Sequence, residues 1–140
     1  MIIVLDSNIL IYILDNASPF SKSAELLLKK IEGAESQVYL STLARTEILH
    51  QPYQVSVALG EKAKQLLSSF GFISFVEVSA DITDSAAKLC AKVGTKLKNI
   101  DAIHLATALS VGATEFWTND HALLKVKVGR IRIKSLDDVI

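Results

Sequence analysis

The chain begins with a continuous apolar run, Met1 to Leu5, in which three successive residues are β-branched. A strand with one face in water alternates apolar and polar side chains, so an unbroken apolar run predicts a strand that is buried on both faces. Such strands occur in parallel sheets, whose neighbours are joined by crossovers that usually contain a helix. The run therefore predicts a parallel sheet in which strands alternate with helices.

The rest of the chain shows this alternation. Short apolar runs predict further strands at residues 37–40, 72–78, 114–118 and 130–133, the last of them at a sheet edge. Apolar periodicity predicts helices at residues 9–14, 18–31, 41–50, 55–70, 81–93 and 100–111, and a single helical turn at 122–124. Ser7 or Asn8 is the expected N-cap of the helix at 9–14, and Ser41 or Thr42 that of the helix at 41–50. Asn99 is the expected N-cap of the helix at 100–111. Pro52 is expected to end the third helix. We therefore predict one α/β domain over residues 1–140, with a central parallel sheet flanked by layers of helices.

Composition excludes several classes of protein. Half of the 140 residues are hydrophobic and 21% are charged, which argues against a disordered chain. The single cysteine, Cys90, excludes a disulfide framework and suits a reducing cytoplasm. No apolar stretch approaches the ~18 residues of a membrane span, and no signal peptide is evident, so we expect a soluble protein without a membrane partner. Lysine and arginine number 15, as do aspartate and glutamate, so net charge indicates no partner.

Isolated acids follow the predicted strands or lie on the helices after them. Asp6 directly follows the first strand, and Asp120 follows the fourth by two residues. Glu47 lies on the helix after the second strand, and Asp101 lies in the first turn of a helix that is otherwise almost entirely apolar. Ligands of open parallel sheets bind at the carboxyl ends of the strands, so we expect the four acids on one rim. Each acid alone is also explained as a turn, cap or exposed helix residue.

Four clustered carboxylates would repel one another. At a separation of ~5 Å and an effective dielectric near 20, two unit charges repel by roughly 3 kcal/mol. A divalent cation reverses the sign of that interaction, and hard oxygen ligands favour Mg²⁺ or Mn²⁺ over zinc. We therefore predict a metal site with Asp6, Glu47, Asp101 and Asp120 as ligands. Phosphoryl transfer with a metal-activated water is the chemistry that such a site would perform.

Polar residues beside the acids are candidates for positioning substrate or water. They are Ser7, Asn8, Thr118 and Asn119, and local capping and turn hydrogen bonds explain them equally well. Arg45, two residues before Glu47, is a candidate for phosphate contact. The segment 92–134 carries eight basic residues against three acids, which suits either a phosphate backbone or an ordinary solvated surface. His104 is interpreted as a packed histidine in preference to a general acid.

The sequence resembles the PIN domain nuclease family over essentially the whole chain. The matching stretches are Leu5-Asp6-Ser7-Asn8, the helix with Glu47, Asp101-Ala-Ile-His-Leu-Ala-Thr-Ala and Thr118-Asn119-Asp120. The resemblance implies a Rossmann-like three-layer fold, RNA cleavage with Mg²⁺ or Mn²⁺ and often a homodimer. It assigns Asp6, Glu47, Asp101 and Asp120 to the family's acidic quartet and Thr118 to the hydroxyl near its last acid. Small members of the family are largely VapC-type ribonuclease toxins paired with an antitoxin.

Other functions remain open. A nuclease that processes RNA without a toxin role, or a module whose acid pocket binds an arginine of a partner, also fits the acids. A phosphohydrolase with Asp6 as nucleophile would carry a second acid two residues later, where this chain has Asn8. A phosphorylated receiver domain would carry an acid at the end of a middle strand, where this chain has Ser79 and Ala80.

Overall fold

A five-stranded parallel sheet forms the centre of the molecule, in the computed structural model that describes residues 1–94 and 96–139. The strands are β1 (Ile2–Leu5), β2 (Gln37–Ser41), β3 (Ile73–Val76), β4 (Glu115–Trp117) and β5 (Arg132–Lys134), in the order β3-β2-β1-β4-β5. Every predicted strand is present, and the last one lies at an edge as expected. The predicted α/β fold with a parallel sheet between helices is therefore confirmed.

In the described residues, six α-helices flank the sheet. They are α1 (Ser7–Leu14), α2 (Ser21–Gly33), α3 (Thr42–Val55), α4 (Val57–Ser69), α5 (Ala80–Val93) and α6 (Asn99–Ser110). Two short 3₁₀ helices follow, at His121–Lys125 and Leu136–Val139, and the second of these was not predicted. None of the helices in the described part of the chain has the length and apolarity that a bilayer crossing requires.

Both faces of the sheet are buried, as the first five residues predict. Ile3 and Leu5 of β1 belong to a core cluster that includes side chains of α1, α2 and α3. Val4, between them, belongs to a second cluster with side chains of α5 and α6. Successive side chains of a strand point to opposite faces, so one apolar strand contributes to two cores.

Several predicted helix boundaries are wrong. Neither Ser7 nor Asn8 caps α1, because Asp6 is the N-cap and its side chain accepts a hydrogen bond from the Ser7 N–H. Asn99 is the first residue of α6, whose N-cap is Lys98 without a side-chain hydrogen bond. α2 begins at Ser21 instead of residue 18.

Pro52 does not end α3, which continues to Val55. A proline removes one backbone donor from a helix, but packing against the next helix holds this last turn in place. Tyr53 lies so close to Gly60 of α4 that a Cβ at residue 60 would come within 2.0 Å of its ring. α6 is not fully enclosed despite its almost entirely apolar sequence, because Ile100 is 44% exposed and Leu109 is 38% exposed.

Candidate active site

The carboxyl ends of the two central strands bring Asp6 and Thr118 together. β1 and β4 are neighbours with Leu5 opposite Trp117, and the Asp6 N–H donates to the carbonyl oxygen of Trp117 at 2.8 Å. Thr118 is fully buried, and its Oγ1 donates to Oδ2 of Asp6 at 2.8 Å. Asp6 is only 5% exposed, so a buried carboxylate is held by donors at the end of the sheet.

Two helices add a glutamate and a histidine to this carboxylate. Glu47 extends from α3, which follows β2, and His104 extends from α6. Nε2 of His104 lies 2.7 Å from Oε1 of Glu47 and 3.9 Å from Oδ1 of Asp6. One ligand atom from each of Asp6, Glu47 and His104 lies within 4.8 Å of the others. We call these three residues the compact group.

Asp101 and Asp120 lie on the same rim but outside the compact group. Asp120 is exposed, and its Oδ1 accepts the Ala122 N–H at 3.0 Å at the start of the first 3₁₀ helix. Asp101 is half-buried, and its pKa is raised to about 6, first by burial and then by the negative charges of Asp6, Asp120 and Glu47. The structure thus places Asp6, Glu47 and Asp120 near enough to Asp101 for their charges to act on its carboxylate, and two of the four predicted acids belong to the compact group.

The pKa values within the compact group reflect burial opposed by ion pairing. Burial raises the pKa of Asp6, although His104 and the Thr118 hydroxyl act in the opposite direction. Burial also acts to raise the pKa of Glu47, but the hydrogen bond with His104, the charge of His104 and the Ser7 hydroxyl together outweigh it, and the pKa is lowered. Burial acts to lower the pKa of His104, yet the contact with Glu47 and the charge of Asp6 raise it. The two acids beside His104 therefore favour its protonated form.

The polar residues beside the acids hydrogen-bond within the site. Asn8 places Nδ2 at 3.5 Å from Oδ2 of Asp6 and 3.4 Å from Oγ1 of Thr118. Its Oδ1 accepts the Asn119 N–H at 3.3 Å, and Nδ2 of Asn119 donates to the Tyr12 hydroxyl at 3.2 Å. Ser7 approaches Asp6 through its N–H at 2.8 Å and its Oγ at 3.5 Å. These residues shape the rim around Asp6.

Arg45 points elsewhere in this arrangement. Its guanidinium carbon lies 4.8 Å from the ring centroid of Phe75, on the edge strand β3. In the described part of the chain it forms no ion pair with an acid. Its proposed contact with phosphate stays a prediction.

His104 is the residue whose role the sequence interpretation missed. It is buried, with 1% exposure, as a packed histidine should be, but it also contacts two of the acids. The available signal was its position three residues after Asp101, which places both on one side of α6. Ser41 was identified only as a helix cap, although its Oγ also lies 2.9 Å from Nδ1 of His104.

The donor set fits a divalent cation. Carboxylate oxygens are the ligands that Mg²⁺ and Mn²⁺ prefer, and Asp6 and Glu47 offer them in the compact group. Burial and then the charges of the neighbouring acids raise the pKa of Asp101, and a cation on this rim would relieve the repulsion.

Comparisons with known proteins agree with this architecture. A family model described as the PIN domain matches residues 3–129. No curated protein sequence matches the chain. A chain of the VapBC2 complex from Rickettsia felis, solved with a DNA fragment from its promoter, superposes with a TM-score of 0.74 at 17% identity, covering 96% of this chain and 98% of that one.

Two further solved structures show the same likeness. VapBC-1 from nontypeable Haemophilus influenzae gives a TM-score of 0.72 at 17% identity, covering 99% of this chain and 100% of the other. VapC20 from Mycobacterium tuberculosis, a toxin that cleaves the sarcin-ricin loop, gives a TM-score of 0.68 at 14% identity, covering 93% of this chain and 98% of the other. At these identities the structural likeness establishes a shared fold.

Proposed function

We propose that this chain, which belongs to the PIN domain family, is a divalent-metal-dependent endoribonuclease and the toxin of a toxin–antitoxin pair. We further propose that residues 1–140 form a single PIN domain, and that the protein acts in the cytoplasm as a homodimer. The observation that carries the proposal is the compact group at the carboxyl ends of the strands, where one ligand atom from each of Asp6, Glu47 and His104 lies within 4.8 Å of the others, with Asp101 and Asp120 beside it.

Asp6, Glu47, Asp101 and Asp120 are the residues that would hold Mg²⁺ or Mn²⁺. A bound divalent ion supplies activation of water and neutralises the charge of a phosphodiester. Thr118 keeps Asp6 in place through its 2.8 Å hydrogen bond, so the buried carboxylate faces the rim in one orientation. Ser7, Asn8 and Asn119 are the polar groups at hand to orient water and phosphate.

RNA is the proposed substrate. The printed description of the Mycobacterium tuberculosis neighbour is of a toxin that cleaves an RNA loop. In this chain, exposed basic residues in the segment 92–130 offer contacts to a phosphate backbone, and they are Lys92, Lys96, Lys98, Lys125, Lys127 and Arg130. Arg132 and Lys134, which the sequence interpretation included in the same set, pair instead with the buried Glu115.

An apolar groove beside the acids supports an antitoxin partner. It has a volume of about 770 Å³ and lies between α1, α3 and α4, with Glu47 among its lining residues. Leu59 and Leu66 line it and are 46% and 43% exposed, which suits an apolar segment of another chain. The structural neighbours from Rickettsia felis and Haemophilus influenzae are VapBC structures.

Docking of the antitoxin in the apolar groove is tested by substituting a lysine for one of the leucines that line it. Leu66→Lys places a charge on the apolar lining and should weaken capture of the proposed antitoxin, the product expected from a neighbouring gene, at least tenfold, while RNA cleavage continues. Lys64→Leu on the same helix is the matched control. Unchanged capture by Leu66→Lys would mean that the partner docks elsewhere.

The nuclease proposal is tested by cleavage of single-stranded and structured RNA. We expect cleavage with Mg²⁺ or Mn²⁺, loss of cleavage with a chelator, and loss of at least a hundredfold in Asp6→Asn and Asp101→Asn. Asp84→Asn, an exposed acid on α5, should retain full activity. Cleavage that persists in Asp6→Asn would refute the role of the acids, and equal cleavage in chelator would refute the metal. Growth arrest on expression, relieved by the neighbouring gene, tests the toxin role.

A further inference from the structure

We propose that Ser41 and His104 form a positioning pair that holds Glu47 in the acid site. The pair is defined by two contacts of one imidazole ring. Nδ1 of His104 lies 2.9 Å from Oγ of Ser41, and Nε2 lies 2.7 Å from Oε1 of Glu47. The proposal rests on the proposed function, because it assigns a task to residues that surround the same acids.

The ring of His104 is fixed from both edges. The ring is 1% exposed and belongs to α6, whereas Glu47 lies within α3 and Ser41 is the N-cap residue of α3. Any rotation of the ring would leave a buried nitrogen without a hydrogen-bond partner, which is strongly unfavourable. The imidazole therefore joins the start of α3 to a carboxylate six residues further along the same helix.

Ser41 determines this orientation. It is fully buried at the end of β2, so water has no access to replace it. Its Oγ accepts the Ala44 N–H at 3.2 Å, and the hydroxyl still has a proton and a second lone pair for Nδ1 of His104. Ser41, His104 and Glu47 resemble a hydrolase triad in order, but a fully buried hydroxyl is closed to substrate and cannot act as a nucleophile.

Glu47 is the group that needs positioning. Its side chain is 32% exposed, whereas that of Asp6 is 7% exposed and held by Thr118. A long, partly exposed carboxylate samples several rotamers unless a partner restricts it. Loss of the Ser41 hydroxyl would release the ring and with it Glu47. Changes in groups that orient metal ligands typically weaken metal binding by 10–100-fold.

The first test is the dissociation constant for Mn²⁺, measured by titration calorimetry without substrate. We expect Ser41→Ala to bind Mn²⁺ at least ~10-fold more weakly than the wild type. Ser56→Ala is the matched control, since Ser56 caps α4 and its Oγ accepts the Leu59 N–H at 3.1 Å. Both variants lose a helix cap and should melt at lower temperature, but Ser56→Ala should bind Mn²⁺ normally. Normal binding by Ser41→Ala would overturn the proposal.

A double-mutant cycle tests whether Ser41 acts through His104. His104→Gln removes the nitrogen that faces Ser41, so Ser41→Ala should cause no further loss of Mn²⁺ affinity in that background. Additive losses would show that Ser41 acts by another route, and the positioning pair would be rejected.

A measurement without metal separates this proposal from the nuclease proposal. The ring nitrogens of His104, observed by ¹⁵N NMR, should shift or broaden in Ser41→Ala and stay unchanged in Ser56→Ala. Unchanged His104 signals in Ser41→Ala overturn the positioning pair even if the wild type cleaves RNA. A wild type that neither binds Mn²⁺ nor cleaves RNA refutes the nuclease instead, and the NMR comparison still decides the pair.

Discussion

Replacing Asp101 with asparagine is expected to stabilise the metal-free protein at neutral pH while it abolishes RNA cleavage. The carboxyl group of Asp101 is half-buried beside Asp6, Asp120 and Glu47, and its pKa is raised from 3.8 to about 6. A raised carboxyl pKa means that the folded protein disfavours the ionised form. Asparagine has nearly the same shape and no charge, so it removes the repulsion without leaving a cavity.

The size of the effect follows from the pKa. Each pKa unit corresponds to 1.36 kcal/mol, so a rise from 3.8 to about 6 amounts to about 3 kcal/mol at neutral pH. Asp101 is half-buried, and solvent screening reduces this to roughly half. Asparagine also gives up about 0.5 kcal/mol of favourable interaction with the N-terminal end of the α6 dipole. We expect a net gain of about 1 kcal/mol, or a melting temperature higher by about 3–4 °C.

The pH dependence identifies the cause. Below the unfolded pKa of 3.8 the carboxyl is neutral in both states, so variant and wild type differ little. The advantage of Asp101→Asn should grow as pH rises from 3.8 to the folded pKa of about 6 and level off above it. Thermal melts at pH 4, 5, 6 and 7 in chelator measure this, with Asp84→Asn as control. The reasoning would be refuted if Asp101→Asn melted at a lower temperature than the wild type at pH 7, or if the difference between their melting temperatures did not change with pH.

Three further predictions concern the same molecule. Glu47→Gln should destabilise the protein most between about pH 4.5 and 6.5, as urea melts across pH would measure. The lowered pKa of Glu47 gives stability that is lost as pH falls, and the raised pKa of His104 gives stability that is lost as pH rises. Gly60→Ala should lower stability by about 2 kcal/mol, because its Cβ would meet the Tyr53 ring at 2.0 Å, whereas Gly33→Ala meets nothing within 4 Å and should melt like the wild type. Mn²⁺ should raise the melting temperature of the wild type, a chelator should reverse the rise, and Asp101→Asn should show less of it.

The sheet and its rim were predictable because they depend on regular patterns. The unbroken apolar run of β1 predicts burial on both faces, and the acids after β1 and β4 lie at adjacent strand ends whatever the details of packing. Thr118 beside Asp6 follows from the same rule. The sequence within and directly after each strand was enough to predict these features.

The helix boundaries and the contact of His104 with Glu47 were not predictable, because tertiary contacts decide them. Pro52 stays helical because α3 packs on α4, which no local preference encodes. Asp6 is both a helix cap and a site carboxylate, so the expected caps at the next residues were wrong. His104 was correctly expected to be buried, but its contact with Glu47 joins positions 57 residues apart on two different helices.

The pairing of Asp6 with Thr118 joins residues 112 positions apart, and it sets the time at which the site can form. One side of β1, in the middle of the sheet, has no partner until β4 has been synthesised. Contacts of such long range form late and slow the folding of a domain. A growing chain on the ribosome therefore carries Asp6 without its partner until more than four-fifths of the described residues exist. Any activity of the acids on this rim begins only after β4 and Asp120 have been synthesised, and products that end before β4 should be inert.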